Sequence, residues 1–199
     1  MILTPRLHHA IKLASHLHRF QTRKDVNLTP YISHLISVSI IVSSITDDED
    51  IIIAGLMHDS LEDVPNYTFD MLVRDCGIRV AEIVKHVTEP LDGNKSKDDQ
   101  FPWLQRKEAY LHVLKTGGIE SALVSAADKI HNTQSFLQDI QEDKETFLKR
   151  FKSSTKNKIW FNEQVLLILE EKLDKDHTLV KQLKECTEQF KNLLNENEK

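Results

Sequence analysis

The sequence predicts an all-α protein. Apolar residues recur at three- and four-residue spacing along nearly the whole chain, the repeat of one helix face. Glycine and proline are scarce, five of each in 199 residues, whereas strands need frequent turns. The hydrophobic share of 40% and the charged share of 29% suit a soluble globular chain with one sizeable core.

Leu7, Ala10, Ile11, Ala14 and Leu17 mark the first helix, starting near Thr4-Pro5, where proline suits a first turn. The polar stretch "RFQTRKDVNLTPYISH" interrupts it, and a second helix is expected from Thr29-Pro30 to about Ser44. The acidic group 47–50 is a natural start for the helix "IIIAGLMHDSLED", which Pro65 and Asn66 end. Residues 68–75 and 78–88 read as two shorter helices parted by Gly77. Residues 89–101, "EPLDGNKSKDDQF", read as a polar, mobile loop. "PWLQRKEAYLHVLK" resumes a helix with Pro102 in its first turn, and Gly117-Gly118 ends it. "IESALVSAADKIHNTQSFL" is a strongly apolar helix, and residues from about 142 to 196 read as two long amphipathic ones. No repeat and no Pro- or Ser-rich linker divides the chain, so residues 1–199 are expected to form a single domain.

The net charge of −5 argues against a nucleic-acid or membrane-surface binder. No apolar run approaches the roughly 20 residues that span a bilayer. "MILTPRLHHAIKLA" lacks the apolar core of a signal peptide, so a cytoplasmic setting is expected. Cys76 and Cys186 lie far apart without CxxC spacing and read as reduced thiols.

The stretch "AGLMHDSLEDV" sets His58, Asp59, Glu62 and Asp63 at the end of an apolar helix. Residues four apart share a helix face, so His58 lies above Glu62 and Asp59 above Asp63. By itself this reads equally as the acidic end of a surface helix or as a metal site. Burying several carboxylates costs many kcal/mol unless a cation compensates. Imidazole with carboxylate suits Mn²⁺, Fe²⁺ or Zn²⁺ better than Ca²⁺. Two further positions favour the metal. His34 lies among Ile32, Leu35 and Ile36, and Asp128 sits inside "VSAADKIHN" beside Ala126, Ala127 and Ile130. Arg23-Lys24 reads from the residues alone as a solvated loop pair, and Arg106-Lys107 as a solvated helix face. His8, His9 and His16 read as surface residues.

The ordered set "HRFQTRKDVNLTPYISH", "HDSLEDV", "VTEPLD…PWLQRKEAYLHVL" and "ADKIHN" resembles the HD-domain metal-dependent phosphohydrolases. Within them it is most similar to the hydrolase domain of RelA/SpoT-type enzymes and to the small alarmone hydrolases. The resemblance covers residues from about 8 to 135. It implies a compact HD-domain helical fold followed by C-terminal helices. It implies His34, His58, Asp59 and Asp128 as metal ligands, and Glu62 and Asp63 as the acidic pair that handles the nucleophilic water. Arg23, Lys24 and Asn132 match substrate-contacting residues, and His18 matches a histidine supporting the site. In relatives acting on alarmones, an aromatic on a late helix lines the nucleoside pocket; "KIWFNEQV" offers Trp160 or Phe161. One departure is Leu28, where the family has glycine before T-P-Y.

The expected function is Mn²⁺-dependent hydrolysis of a small nucleotide, with guanosine tetra- or pentaphosphate cleaved at the 3′ position. Two alternatives stand: hydrolysis of another phosphorylated nucleotide or cofactor, and a non-catalytic nucleotide-binding helical module.

Overall fold

The computed structural model describes residues 2–25, 27–90, 103–151 and 155–195. Among them, every extended element is a helix, beside one isolated bridge between Thr22 and Pro30. The helices are α1 (Pro5–Leu17), α2 (Ile32–Ser43), α3 (Glu49–Met57), α4 (Ser60–Asp63) and α5 (Phe69–Cys76). They continue as α6 (Ile78–Lys85), α7 (Trp103–Thr116), α8 (Ile119–Phe151), α9 (Thr155–Leu173) and α10 (Thr178–Asn195).

Local chemistry sets the starts. Thr4 caps α1 by accepting from the Leu7 N–H at 3.1 Å, with Pro5 in the first turn. Asp48 caps α3 through the Asp50 N–H, and Thr68 caps α5 through the Met71 N–H. Helix α2 begins two residues later than Thr29-Pro30 predicts, after a turn in which Pro30 accepts from the Ser33 N–H.

Two expectations change, and a third falls mostly outside the described residues. The helix foreseen through "HDSLED" breaks at His58-Asp59, leaving α4 as a separate turn. Most of the loop foreseen at 89–101 lies outside the described residues, as does Pro102. The C-terminal part holds two long helices, α9 and α10, as expected, but α8 also reaches into it, running to Phe151 through a kink at Asp143 (φ −155°, ψ 87°). Asp143 accepts from both the N–H and the hydroxyl of Thr146, so it restarts the helix in the manner of a cap.

Helices α2, α3 and α8 pack on one another at the centre, with α1 and α6 against α3 and with α9 and α10 against α8. Residues 51–57 of α3 are all buried, so this helix is apolar on every side. Gly55 lets α2 come close. A methyl group there would meet Val42 Cγ2 at 3.3 Å and the Ser39 Cα at 3.4 Å. Ala122, Ala126 and Ala127 give α8 a similarly thin face. Both cysteines are buried free thiols, whose pKa burial pushes up to about 11. No described helix is long and apolar enough to cross a membrane.

Gly77 joins α5 to α6 with φ 96° and ψ 158°, a conformation open to little but glycine. An added methyl group would find space there, its nearest neighbour being Arg6 Nη2 at 3.6 Å. Gly77→Ala is therefore expected to cost about 1–3 kcal/mol through backbone strain alone. Urea unfolding measures it, and a loss below about 0.5 kcal/mol contradicts the assignment of strain.

Candidate functional site

His34 lies in the first turn of α2, His58 just past α3, Asp59 just before α4, and Asp128 in α8. The structure brings them together. His34 Nε2 is 3.2 Å from His58 Nε2, 3.5 Å from Asp59 Oδ2 and 3.3 Å from Asp128 Oδ1. His58 Nε2 is 3.1 Å from Asp59 Oδ2 and 3.6 Å from Asp128 Oδ1. An ion about 2.1 Å from each donor sets neighbouring donors about 3.0–3.4 Å apart. The spacing of His34, His58 and Asp59 therefore fits a single divalent cation, and Asp128 Oδ1 approaches the same two imidazole nitrogens from α8.

The break before α4 aims His58. Its Nδ1 donates to the Gly55 carbonyl at 2.8 Å, the group that residue 59 would use if α3 continued. Nε2 is thereby turned toward the aspartates, as in metal sites whose histidines give their other N–H to a carbonyl. His34 has a matching contact, with its Nδ1 2.8 Å from His131 Nδ1.

Electrostatics also call for a cation. Burial alone would lower the His58 pKa, but Asp59 and Asp128 together hold it well above the usual value. Burial alone would raise both aspartates. Lys129, His34 and His58 hold Asp128 well below the carboxylate range, and the two imidazoles do the same for Asp59. Lys129 Nζ donates to Asp128 Oδ2, leaving Oδ1 toward the histidines. His131 is pushed down to about 4 by burial, His34 and Arg23.

The acidic pair lies alongside. Tyr31 Oη donates to Asp59 Oδ2 at 2.7 Å and lies 3.2 Å from Asp63 Oδ2, so these carboxylates do share a face. Glu62 Oε2 accepts from the Glu89 N–H at 3.1 Å. Behind Tyr31 the buried ring of His18 stacks at 5.5 Å, and Gln21 links the His18 ring to the Asp63 carbonyl. His8, His9 and His16 are exposed.

Tyr31, His34, Asp59, Glu62, Asp63 and Asp128 line a cavity of about 160 Å³, which shares Arg23, Tyr31, Asp63, Lys107, Lys129 and Asn132 with a larger one of about 700 Å³. Arg23 Nη2 donates to Asn132 Oδ1 at 2.6 Å, and Asn132 donates on to Asp128. Lys24 lines the larger cavity, as does Phe161, whereas Trp160 packs against Trp103 and lines neither. The loop carrying Arg23 is closed by backbone bonds from Arg23 N–H to Thr29 and from Tyr31 N–H to Gln21. Leu28 takes φ 50° there, the left-handed conformation in which glycine is favoured.

Arg106-Lys107 is not a solvated helix face. Their side chains are 10% and 19% exposed and both meet Glu89, itself 1% exposed. The reason is long-range: Glu89 lies past the end of α6 and turns inward beneath α7. Burial and the neighbouring Lys129 lower the Lys107 pKa, against the opposing pull of Glu89. Sequence reasoning likewise assigned no role to Tyr31, Glu89, Lys129 or His131. Lys129 and His131 flank Asp128 and Asn132 within "ADKIHN", which is the signal that was open to it.

A helical core that gathers two histidines and two aspartates onto one buried point defines a His–Asp class of protein. Residues 10–155 match the profile of the HD domain, and the chain belongs to that family. It is 34% identical over 125 residues to the guanosine-3′,5′-bis(diphosphate) 3′-pyrophosphohydrolase MESH1 of Mus musculus, across 62% of this chain and 65% of that one. It is 30% identical over 145 residues to the bifunctional (p)ppGpp synthase/hydrolase SpoT of Escherichia coli, across 70% of this chain but only 19% of SpoT. Its fold matches a solved metazoan ortholog of SpoT, described as hydrolyzing ppGpp, with TM-score 0.74 and 23% identity over 95% of this chain and 97% of that one.

Removing Glu89 takes a buried carboxylate partner from both Arg106 and Lys107. Glu89→Ala is expected to destabilise the protein by about 3–5 kcal/mol, the scale for breaking a buried ion pair from one side. Chemical denaturation at neutral pH measures this, and a loss under about 1 kcal/mol would show that Arg106 and Lys107 do not depend on it.

Proposed function

We propose that this protein is a divalent-metal-dependent phosphohydrolase acting on guanosine 3′,5′-bis(diphosphate), cleaving at the 3′ position to release pyrophosphate. The observation that carries the reading is the convergence of four ligand atoms beside Glu62 and Asp63, at the inner end of a cation-lined cavity. The names of the MESH1 and SpoT relatives support it. His34, His58, Asp59 and Asp128 would hold the ion; mixed imidazole and carboxylate donors suit Mn²⁺, Fe²⁺ or Zn²⁺, and of these Mn²⁺ is our choice. The whole chain works as one domain in the cytoplasm, with a small nucleotide as its partner.

When bound, the ion supplies Lewis acidity toward a water and a phosphoryl oxygen. The chain's own groups do the rest. Glu62 and Asp63 orient the attacking water and accept its proton. Tyr31 keeps Asp63 turned toward the ligand cluster. Arg23 neutralises phosphate charge with bidentate geometry, and Lys24 and Lys107 add point charges. Lys158 lines the same cavity. Burial and the surrounding cations, Lys107, Lys24, Arg23 and Lys129, lower its pKa to about 8, so a polyanion is the natural ligand. Asn132 offers an amide to sugar or base, and Phe161 an aromatic edge.

Ligand and acid–base roles separate in variants. His58→Ala and Asp128→Ala are expected to lose stoichiometric metal by elemental analysis. Glu62→Gln and Asp63→Asn should keep it and lose about a hundredfold or more in turnover. Wild-type metal content in both ligand variants would refute the ligand set, and near-normal rates in both acid variants would refute the water-handling role.

The substrate is tested with purified protein and Mn²⁺ against guanosine tetraphosphate, nucleoside monophosphates and ordinary triphosphates. The tetraphosphate should be cleaved fastest, and Arg23→Ala should mainly raise KM for it. An intact tetraphosphate alongside a cleaved monophosphate would end the alarmone reading.

A further inference from the structure

We propose that His131 is a positioning residue. It holds His34 in the tautomer that offers Nε2 to the metal, and its own Nε2 donates a hydrogen bond to the sugar or base of the substrate. The inference rests on the metal-site reading above and concerns a residue that the family motif leaves open.

The geometry fixes the proton. His34 is 1% exposed, and its Nε2 faces His58, Asp59 and Asp128. Its other nitrogen, Nδ1, sits 2.8 Å from His131 Nδ1, with the rings tilted by 50° and their centroids 4.8 Å apart. Two nitrogens at that distance share one hydrogen, since neither two lone pairs nor two N–H groups can face each other. A metal ligand needs its lone pair on Nε2, so the hydrogen of neutral His34 lies on Nδ1 and is donated to His131. His131 must then accept at Nδ1 and carry its own hydrogen on Nε2.

That second hydrogen has somewhere to go. His131 lines the larger cavity, together with Asn132, Ser33 and Lys24. Among the described residues, its Nε2 has no protein partner. The same ring thus joins the two halves of the site: one nitrogen orients a ligand, and the other reads what enters the cavity. Neither half alone would favour histidine, because an amide can accept and many side chains can donate. An imidazole on this turn of α8 does both across one rigid ring.

His131→Phe and His131→Asn separate the roles. Mn²⁺ affinity is read by the electron paramagnetic resonance of the free ion, without substrate, and KM and kcat are read with guanosine tetraphosphate. His131→Phe keeps the ring but removes the acceptor. It should weaken Mn²⁺ by about 10- to 100-fold, the scale for losing the outer partner of a ligating histidine. His131→Asn restores an acceptor near Nδ1 but cannot reach where Nε2 lay, so metal affinity should recover while KM stays raised. Wild-type Mn²⁺ affinity in His131→Phe overturns the positioning role, and a wild-type KM in His131→Asn overturns the contact with substrate. If His131→Phe does not fold, as judged by circular dichroism, His131→Ala makes the same comparison. Wild-type protein that binds no Mn²⁺ would instead overturn the metal reading itself.

Discussion

Two carboxylates, Asp59 and Asp128, are carried into the interior of a helical core, and the rest of the site is arranged around the need to compensate them. An isolated buried carboxylate is too costly to persist in its charged form. Here each has several partners. Tyr31 and His58 face Asp59, while Lys129, Asn132 and the two imidazoles surround Asp128. Even so, the field of the pair raises the pKa of buried His58 well above its ordinary value. A divalent cation answers the same field more fully, and that is the physical reason for reading the cluster as a metal centre.

The core exists in the form that this centre requires. The proposed ligands come from the start of α2, the end of α3 and the middle of α8, so these three helices must meet closely and in fixed register. Gly55 and the alanines of α8 supply the close approach, and full burial of α3 supplies the rigidity. The interruption at His58-Asp59 then has a clear use. A continuous helix would leave the Gly55 carbonyl to the backbone, whereas the break gives it to the His58 ring and aims Nε2 inward. Around the proposed ligands stand Tyr31, His18, Gln21 and His131, in contact with them or with one another through hydrogen bonds and ring stacking.

Much of this was legible in the chain. Thr4-Pro5, the acidic group 47–50, Gly77 and Gly117-Gly118 are local signals, and the helices start and stop near them because capping and backbone conformation are short-range effects. The residues H…HD…D stood out because ionisable groups in apolar surroundings demand an explanation. Contacts that depend on distant packing were hidden. Glu89 looked like the first residue of a loop, and Arg106-Lys107 like a solvated pair, until the fold placed them together. Leu28 marked a departure from the family pattern, and its φ of 50° shows why glycine suits that position. The kink at Asp143 fell near the boundary drawn at 142, but the helix resumes at once because Asp143 caps the next turn through Thr146.

One ion held jointly by α2, α3 and α8 would tie the fold to its chemistry. The direct measurement is anomalous diffraction from crystals grown with Mn²⁺. A single anomalous peak is expected between His34 Nε2, His58 Nε2, Asp59 and Asp128, with donor distances of about 2.0–2.3 Å. A peak elsewhere, or one touching fewer than both histidines, would refute the shared site.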